Sequence, residues 1–157
     1  MQISSRFTVA LHIFTCAEFF RDRCRVTSEF LSASIHTNPA LIRKIVSQLK
    51  DAGLLSVARG TGGIAAARPL REISFYDVYR AIEPLEGGKL FRFHPSPSED
   101  CPVGRNIHAL LDAKLDAIQD AMENEMKKTS LAELADAMRE LSEQEDGTVR
   151  QGKESAT

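Results

Sequence analysis

Residues 58–69, ARGTGGIAAARP, contain GTGGIA, which fits the G-x-G-x-x-G/A spacing of loops that cradle a dinucleotide phosphate. That chemistry needs backbone N–H groups opening onto an anion, a strand before the loop, a full helix starting at it and an acid about 20 positions on. LLSVA, 54–58, precedes the loop as an extended run, and Glu83 stands 20 positions after Gly63. The helix condition fails. A crossover helix needs about 10 residues or more, yet Pro69 arrives six residues after Gly63 and the next periodic segment is again helical, with no second parallel strand. The competing reading is a hairpin in which LLSVA and IAAAR flank the turn RGTGG. A small nucleotide-binding protein or enzyme using GTGGIA is the alternative it must displace.

The thiols are the other reactive groups. Pro102 at a first helical position puts Cys101 at an N-cap, where backbone N–H groups and the helix dipole favour a thiolate, while Glu99 and Asp100 oppose it. Cys24 lies between Arg23 and Arg25, a basic, accessible setting of the kind that activates a thiol. The pair Cys101 and Cys24 is therefore a candidate oxidation switch, against which stands Cys101 as a plain capping or packing residue. Cys16 lies four residues after His12 and reads as half of an ordinary half-buried pair on one helix face. Three widely spaced cysteines are unlike the dense even frameworks of secreted domains and point to reduced thiols in a cytoplasm. The apolar N-terminal run is interrupted by His12 and Glu18 and lacks a cleavage site, and nothing approaches the roughly 20 apolar residues of a membrane span.

The elements that must position these groups follow from periodicity. Over 4–22, Phe7, Ala10, Leu11, Phe14 and Ala17 form one apolar stripe and Val9, Ile13, Cys16 and Phe20 a second, which predicts a helix buried on two sides. TSEFLSASI, 27–35, is a short helix capped by Thr27, and HTNP a tight turn. Asn38 and Pro39 open the next helix, whose inward stripe is Ile42, Ile45, Val46 and Leu49 up to Gly53. Ser74 and Asp77 form a capping box for a helix over 74–84. The expected organisation is mainly α with a small β-hairpin wing. A winged helix-turn-helix unit occupies 1–84, a Gly/Pro-rich linker 85–102, a long dimerisation helix 103–128, a C-terminal helix 129–143, and a disordered tail 144–157.

The long helix carries Ile107, Leu111, Leu115, Ile118 and Met122 at helical spacing, continued by Met126, with an acidic outside. Such a seam needs a partner surface, and a copy of itself is the simplest supply; packing on the chain's own N-terminal helix is the alternative. The net charge of −2 is unevenly placed, with 11 Lys/Arg against 7 Asp/Glu in 1–84 and 9 against 15 in 85–157, so a polyanion suits the first part alone. Removing the buried stripe of helix 39–50 leaves Arg43, Lys44, Ser47, Gln48 and Lys50 outward, able to reach base edges and phosphates. With Thr37 and Asn38 at the entry to that helix, and Arg59, Gly60, Thr61 and Gly62 at the hairpin tip, these residues compose the expected DNA-binding surface. Helix-turn-helix topology also occurs in protein-interaction modules, which is the third reading.

NPALIRKIVSQLKDAGLLSVARGTGG, the opening MQISSRFTVALHI, EISFYDVYRAIE and CPVGRNI before a long helix resemble the Rrf2 family of bacterial transcriptional regulators, over residues 1 to about 141. The resemblance implies a homodimer with winged-helix heads, swapped through the long helix, binding double-stranded DNA at a palindromic operator, most simply as a repressor without catalysis. His36 stands where the family usually has glycine, and histidine tolerates positive φ better than most residues. Relatives of this kind hold an iron-sulfur cluster through three closely spaced linker cysteines; this chain has Cys101 alone there, so no metal or cluster is expected by that route. A mixed-ligand cluster recruiting a residue of the N-terminal helix such as His12 stays as a second alternative.

Overall fold

A computed structural model describes residues 4–58, 63–83 and 88–154, with side chains described as far as 145. In chain order the elements are α1 (Ser5–Phe19), α2 (Ser28–Ile35), α3 (Pro39–Asp51), β1 (Leu55–Val57), β2 (Ile64–Ala66), a 3-10 turn (Leu70–Glu72), α4 (Phe75–Ile82), α5 (Pro102–Lys128) and α6 (Leu131–Glu154).

α1 is the hub. Phe7, Ala10, Ile13, Phe14, Cys16 and Ala17 are buried around a wide arc, as two adjacent apolar stripes require, and α2, α3, α4, β2 and α6 all pack on it. α2 starts at Thr27, whose hydroxyl accepts from the Phe30 N–H at 3.1 Å, and stops at His36, which takes the left-handed conformation with φ 52°. Two residues later Asn38 Oδ1 accepts the Ala40 N–H at 2.7 Å and Pro39 fills the first position of α3. Ile42, Ile45, Val46 and Leu49 then enter the core. This is the helix-turn-helix.

β1 and β2 pair antiparallel in the register Leu55↔Ala66, Ser56↔Ala65, Val57↔Ile64. The antiparallel sense corrects the nucleotide-loop alternative, because a phosphate-binding β–α–β unit requires parallel strands joined by a helix. On its other edge β2 meets the α1–α2 loop, where the Ile64 N–H donates to the Val26 carbonyl at 2.9 Å. Gly63 is explained by that approach: a Cβ there would sit 2.8 Å from Val26 O and 3.2 Å from Val26 N.

α4 carries the full Ser74–Asp77 capping box, and its first turn is clamped to the corner between α5 and α6. The Phe75 N–H donates to Thr129 O and the Leu131 N–H to Ile73 O, each at 2.9 Å. At the far end of α4, the Ser4 hydroxyl donates to the Glu83 carboxylate. α5 is 27 residues long, about 40 Å at 1.5 Å per residue. Met122 and Met126 near its C-terminal end pack against the core. Before that point on the helix, Ile107, Leu111 and Leu115 are half-buried and Val103, Leu110 and Ile118 exposed, the last two at 55%. The expected seam is thus divided: its last residues pack on the chain's own head through α4 rather than α1, and the remainder stands away from the core.

The Gly/Pro-rich segment lies along α5 from residue 88 onward. Leu90 N–H donates to Gln119 Oε1 and Gln119 Nε2 to Gly88 O, each at 2.8 Å; Lys89 meets Asp116 at 3.0 Å, and the Phe93 ring stacks on His108 at 3.9 Å. Glu133 accepts from the Ser130 N–H at 2.8 Å and hydroxyl at 3.2 Å, on the side of the capping box expected for α6. That helix continues to Glu154, past the boundary of 143 set by its apolar spacing.

Candidate nucleic-acid interface

α3 turns its apolar stripe inward and leaves Arg43, Lys44, Ser47 and Lys50 exposed as one polar band. The nearest carboxylate to this band is Glu29 on α2, 3.7 Å from Arg43 Nη1, with the two side chains 59% and 73% exposed. An exposed pair at that separation contributes about 0–1 kcal/mol, so a phosphate or guanine edge can take the guanidinium over. Thr37 and Asn38 sit at the turn that leads into the band. Thr37 is anchored through its backbone, which accepts from the Ser32 hydroxyl and donates to Ser32 O. Asn38 is exposed, but its carbonyl oxygen is committed to the helix cap, leaving its NH2 group for an incoming ligand.

Gln48 departs from the outward set. It is half-buried, and its Oε1 accepts from Arg6 Nη2 in the first turns of α1. At 100° per residue position 48 borders the buried stripe, so a partner on the neighbouring helix draws its amide toward the head. Arg6 is the residue that helical periodicity overlooks: it lies among apolar neighbours of α1, and its Nε is buried without a partner. Its one sequence signal is a guanidinium in the first turn of a helix that carries two apolar stripes. Arg59, Gly60, Thr61 and Gly62 lie outside the described residues. Gly63, beside them, answers to the Val26 backbone rather than to an external phosphate, and its φ is not in the left-handed region.

The thiols separate by environment. Cys101 is the N-cap of α5 and fully exposed; its sulfur makes no regular cap hydrogen bond, yet the N–H groups of Gly104 and Val103 are near enough to hold its pKa below the usual thiol value. Cys24 is exposed in the α1–α2 loop, and both are free. Cys16 is buried, and desolvation pushes its thiol pKa up against the weaker effect of Ser34. Ser34 Oγ bridges Cys16 Sγ at 3.5 Å and His12 Nε2 at 3.4 Å, so the two α1 residues meet through a hydroxyl of α2. Among the described residues no three His, Cys, Asp or Glu side chains converge as a metal-binding group, and none of their helices is long and apolar enough to cross a membrane.

A helix-turn-helix with an exposed cationic band, followed by an antiparallel hairpin and packed under a capping helix, defines a winged-helix DNA-binding protein. Comparison with known proteins makes that more specific. The family model Rrf2, described as an iron-dependent transcriptional regulator, matches residues 3–137, and the chain belongs to this family. YwnA of Bacillus subtilis (strain 168), named as an HTH-type transcriptional regulator, is 36% identical over 132 residues, covering 84% of this chain and 96% of YwnA. A crystal structure of a transcriptional regulator from Lactobacillus plantarum superposes with a TM-score of 0.70 at 26% identity, covering 91% of this chain and 98% of that one. CymR, the global cysteine regulator of B. subtilis, shares the fold at TM-score 0.62 and 20% identity, over 87% and 98% of the two chains. The iron in the family description finds no matching donor set within this chain's described residues: Cys101 is the sole cysteine of the segment before α5, Cys16 is buried on α1 and Cys24 lies in another loop.

Proposed function

We propose that the chain is a homodimeric, sequence-specific DNA-binding repressor that acts by binding alone, without catalysis. The observation that carries this reading is the exposed band Arg43, Lys44, Ser47 and Lys50 on α3, directly after a turn locked by His36 and Asn38. An α-helix bearing such a band fits the major groove, and the hairpin beside it reaches the adjacent backbone or minor groove through Arg59. The part of the α5 seam that stands away from the head, Ile107, Leu111, Leu115 and Ile118, is the surface for a second copy, and two heads related by a two-fold axis read a palindromic operator. Cys101 adds a redox-responsive position: an exposed thiol with a lowered pKa at the start of the helix that joins the heads, with Cys24 as the candidate second thiol.

The test is selection of bound duplexes from a random pool, followed by titration of the enriched duplex at several salt concentrations. A regulator of this kind enriches a palindrome and loses affinity steeply as salt rises, because each neutralised phosphate releases counterions. No enrichment together with a flat salt response removes the reading and leaves the protein-interaction alternative.

A further inference from the structure

A cleft of about 610 Å³ opens between the C-terminal half of α1, the chain leaving β2 and the first half of α6. Its apolar lining is mostly alanine: Ala17 from α1, Ala65, Ala66 and Ala67 from β2 and its exit, and Ala132 and Ala135 from α6, with Pro69 and Leu70 beside them. Its rim is guanidinium, with Arg21, Arg68, Arg71 and Arg139 set against Glu18 and Asp136, four cations to two anions. Both carboxylates are engaged by Arg139, at 3.1 Å from Glu18 Oε1 and 2.7 Å from Asp136 Oδ1, and the Glu18 side chain is only 16% exposed.

The other three arginines are held loosely. Arg21 reaches Glu18 at 3.5 Å and Asp22 at 3.9 Å, Arg68 reaches Asp77 at 3.6 Å, and Arg71 reaches Glu72 at 3.8 Å. Exposed ion pairs at such separations contribute little, so these guanidiniums can turn onto an incoming anion at small cost. A guanidinium fork matches a carboxylate in two parallel hydrogen bonds. The volume lies in the range of small-molecule pockets, which combine a mostly apolar lining with a few charged groups. An apolar floor offers nothing to a bare inorganic anion and much to an apolar body attached to one.

We propose that this cleft is an effector site for a small organic acid, with its carboxylate on Arg68 and Arg71 and its apolar body on the alanines. The regulatory part rests on the DNA-binding reading above. One wall is the chain that leaves the hairpin, and the other is the helix that continues from α5. A ligand bridging them fixes the hairpin relative to the dimerisation helix, which sets how the two heads reach DNA.

The experiment uses the full chain and the fluorescent anion 1-anilinonaphthalene-8-sulfonate, with 1-naphthoate and inorganic phosphate as competitors. Expected are one saturable site per chain, displacement by naphthoate but not by phosphate at equal concentration, and affinity at least tenfold weaker in R68A/R71A. Ala132→Leu, which fills the floor and leaves the arginines, lowers affinity similarly, with an unchanged thermal transition showing that both variants fold. Affinity in R68A/R71A within twofold of wild type, non-saturable binding, or equal displacement by phosphate overturns the site. With the enriched duplex, saturating naphthoate should change DNA affinity threefold or more in the wild type and not in R68A/R71A; an unchanged wild-type affinity overturns the coupling. If R68A/R71A itself loses DNA affinity, the arginines contact DNA and the proposal falls. Should no duplex bind at all, the regulator reading fails, and the site is judged on the fluorescence titration alone.

Discussion

Replacing Gly63 by alanine tests why a glycine stands beside the hairpin tip. The added Cβ would meet the Val26 carbonyl oxygen at 2.8 Å and the Val26 nitrogen at 3.2 Å, both backbone atoms that no rotamer change can move. Relief requires β2 and the α1–α2 loop to separate, which strains the Ile64 N–H to Val26 O bond of 2.9 Å. Weakening one backbone hydrogen bond costs about 1 kcal/mol, and forcing a methyl into a filled site about 1–3 kcal/mol. Against these stands a gain of about 0.5–1 kcal/mol from the lower backbone entropy of alanine in the unfolded chain. The net is a destabilisation of about 1–3 kcal/mol, or roughly 3–10 °C in Tm for a chain of this size. Thermal and urea unfolding measure it, and amide hydrogen exchange at Ile64 locates it. Gly53→Ala is the control, because Gly53 has φ +70° with nothing within 4 Å of its Cβ position: that variant loses stability through backbone strain while Ile64 stays protected. A G63A protein with an unchanged Tm and unchanged exchange at Ile64 would refute the close-approach explanation.

Arg43→Ala should relax discrimination at one or two operator positions at a cost of about 1–3 kcal/mol, measured by repeating the duplex selection. Gln48→Ala should instead lower the thermal midpoint, because it leaves Arg6 without its acceptor, while the selected sequence stays the same. Ile118→Asp, on the exposed part of α5, should shift sedimentation from dimer to monomer without unfolding the head, whose core it does not touch. Alkylation of Cys101 by iodoacetamide should titrate below the pH of a free thiol, in the direction set by the Gly104 and Val103 N–H groups. Unfolding in urea should move that midpoint back up. The sign follows from linkage: a folded-state pKa below the unfolded one favours folding at high pH and loses that contribution as pH falls through the folded value. A midpoint identical in native and unfolded protein would remove Cys101 as an activated thiol.

Where a structural cause sits within a few residues of its effect, it was legible in the sequence. Asn38 and Pro39 start α3, Ser74 and Asp77 start α4, and Pro69 leaves no room for a crossover helix, so helix-turn-helix and antiparallel hairpin follow from short-range chemistry. The exposed band on α3 is equally local, since a buried stripe fixes its opposite face. Gln48 was not legible because its partner Arg6 lies 42 residues away, and a border position on a helix turns toward whichever neighbour bonds it. The divided seam of α5 has the same origin: Ile118 and Met122 share a spacing rule, but α4 covers only the C-terminal end. The extent of α6 escaped for a different reason. Its continuation has no apolar rhythm and carries Gly147 and Gly152, which disfavour helix, so only its Glu, Gln, Lys and Arg residues pointed the other way.

The clamp at the corner of α5 and α6 makes the long helix an arm with a geared end. Because Phe75 and Leu131 exchange backbone hydrogen bonds with Thr129 and Ile73 across that corner, α5 cannot tilt freely on a loop; it turns with the first turn of α4 and the head behind it. Over an arm of about 40 Å, a rotation of roughly 5° at the corner carries the far end by about 3.5 Å. That displacement matches the rise of about 3.4 Å between base pairs along one strand of DNA. In the dimer proposed above, the spacing of the two half-sites would then be set at this one corner, by a change too small to disturb the packing of the head.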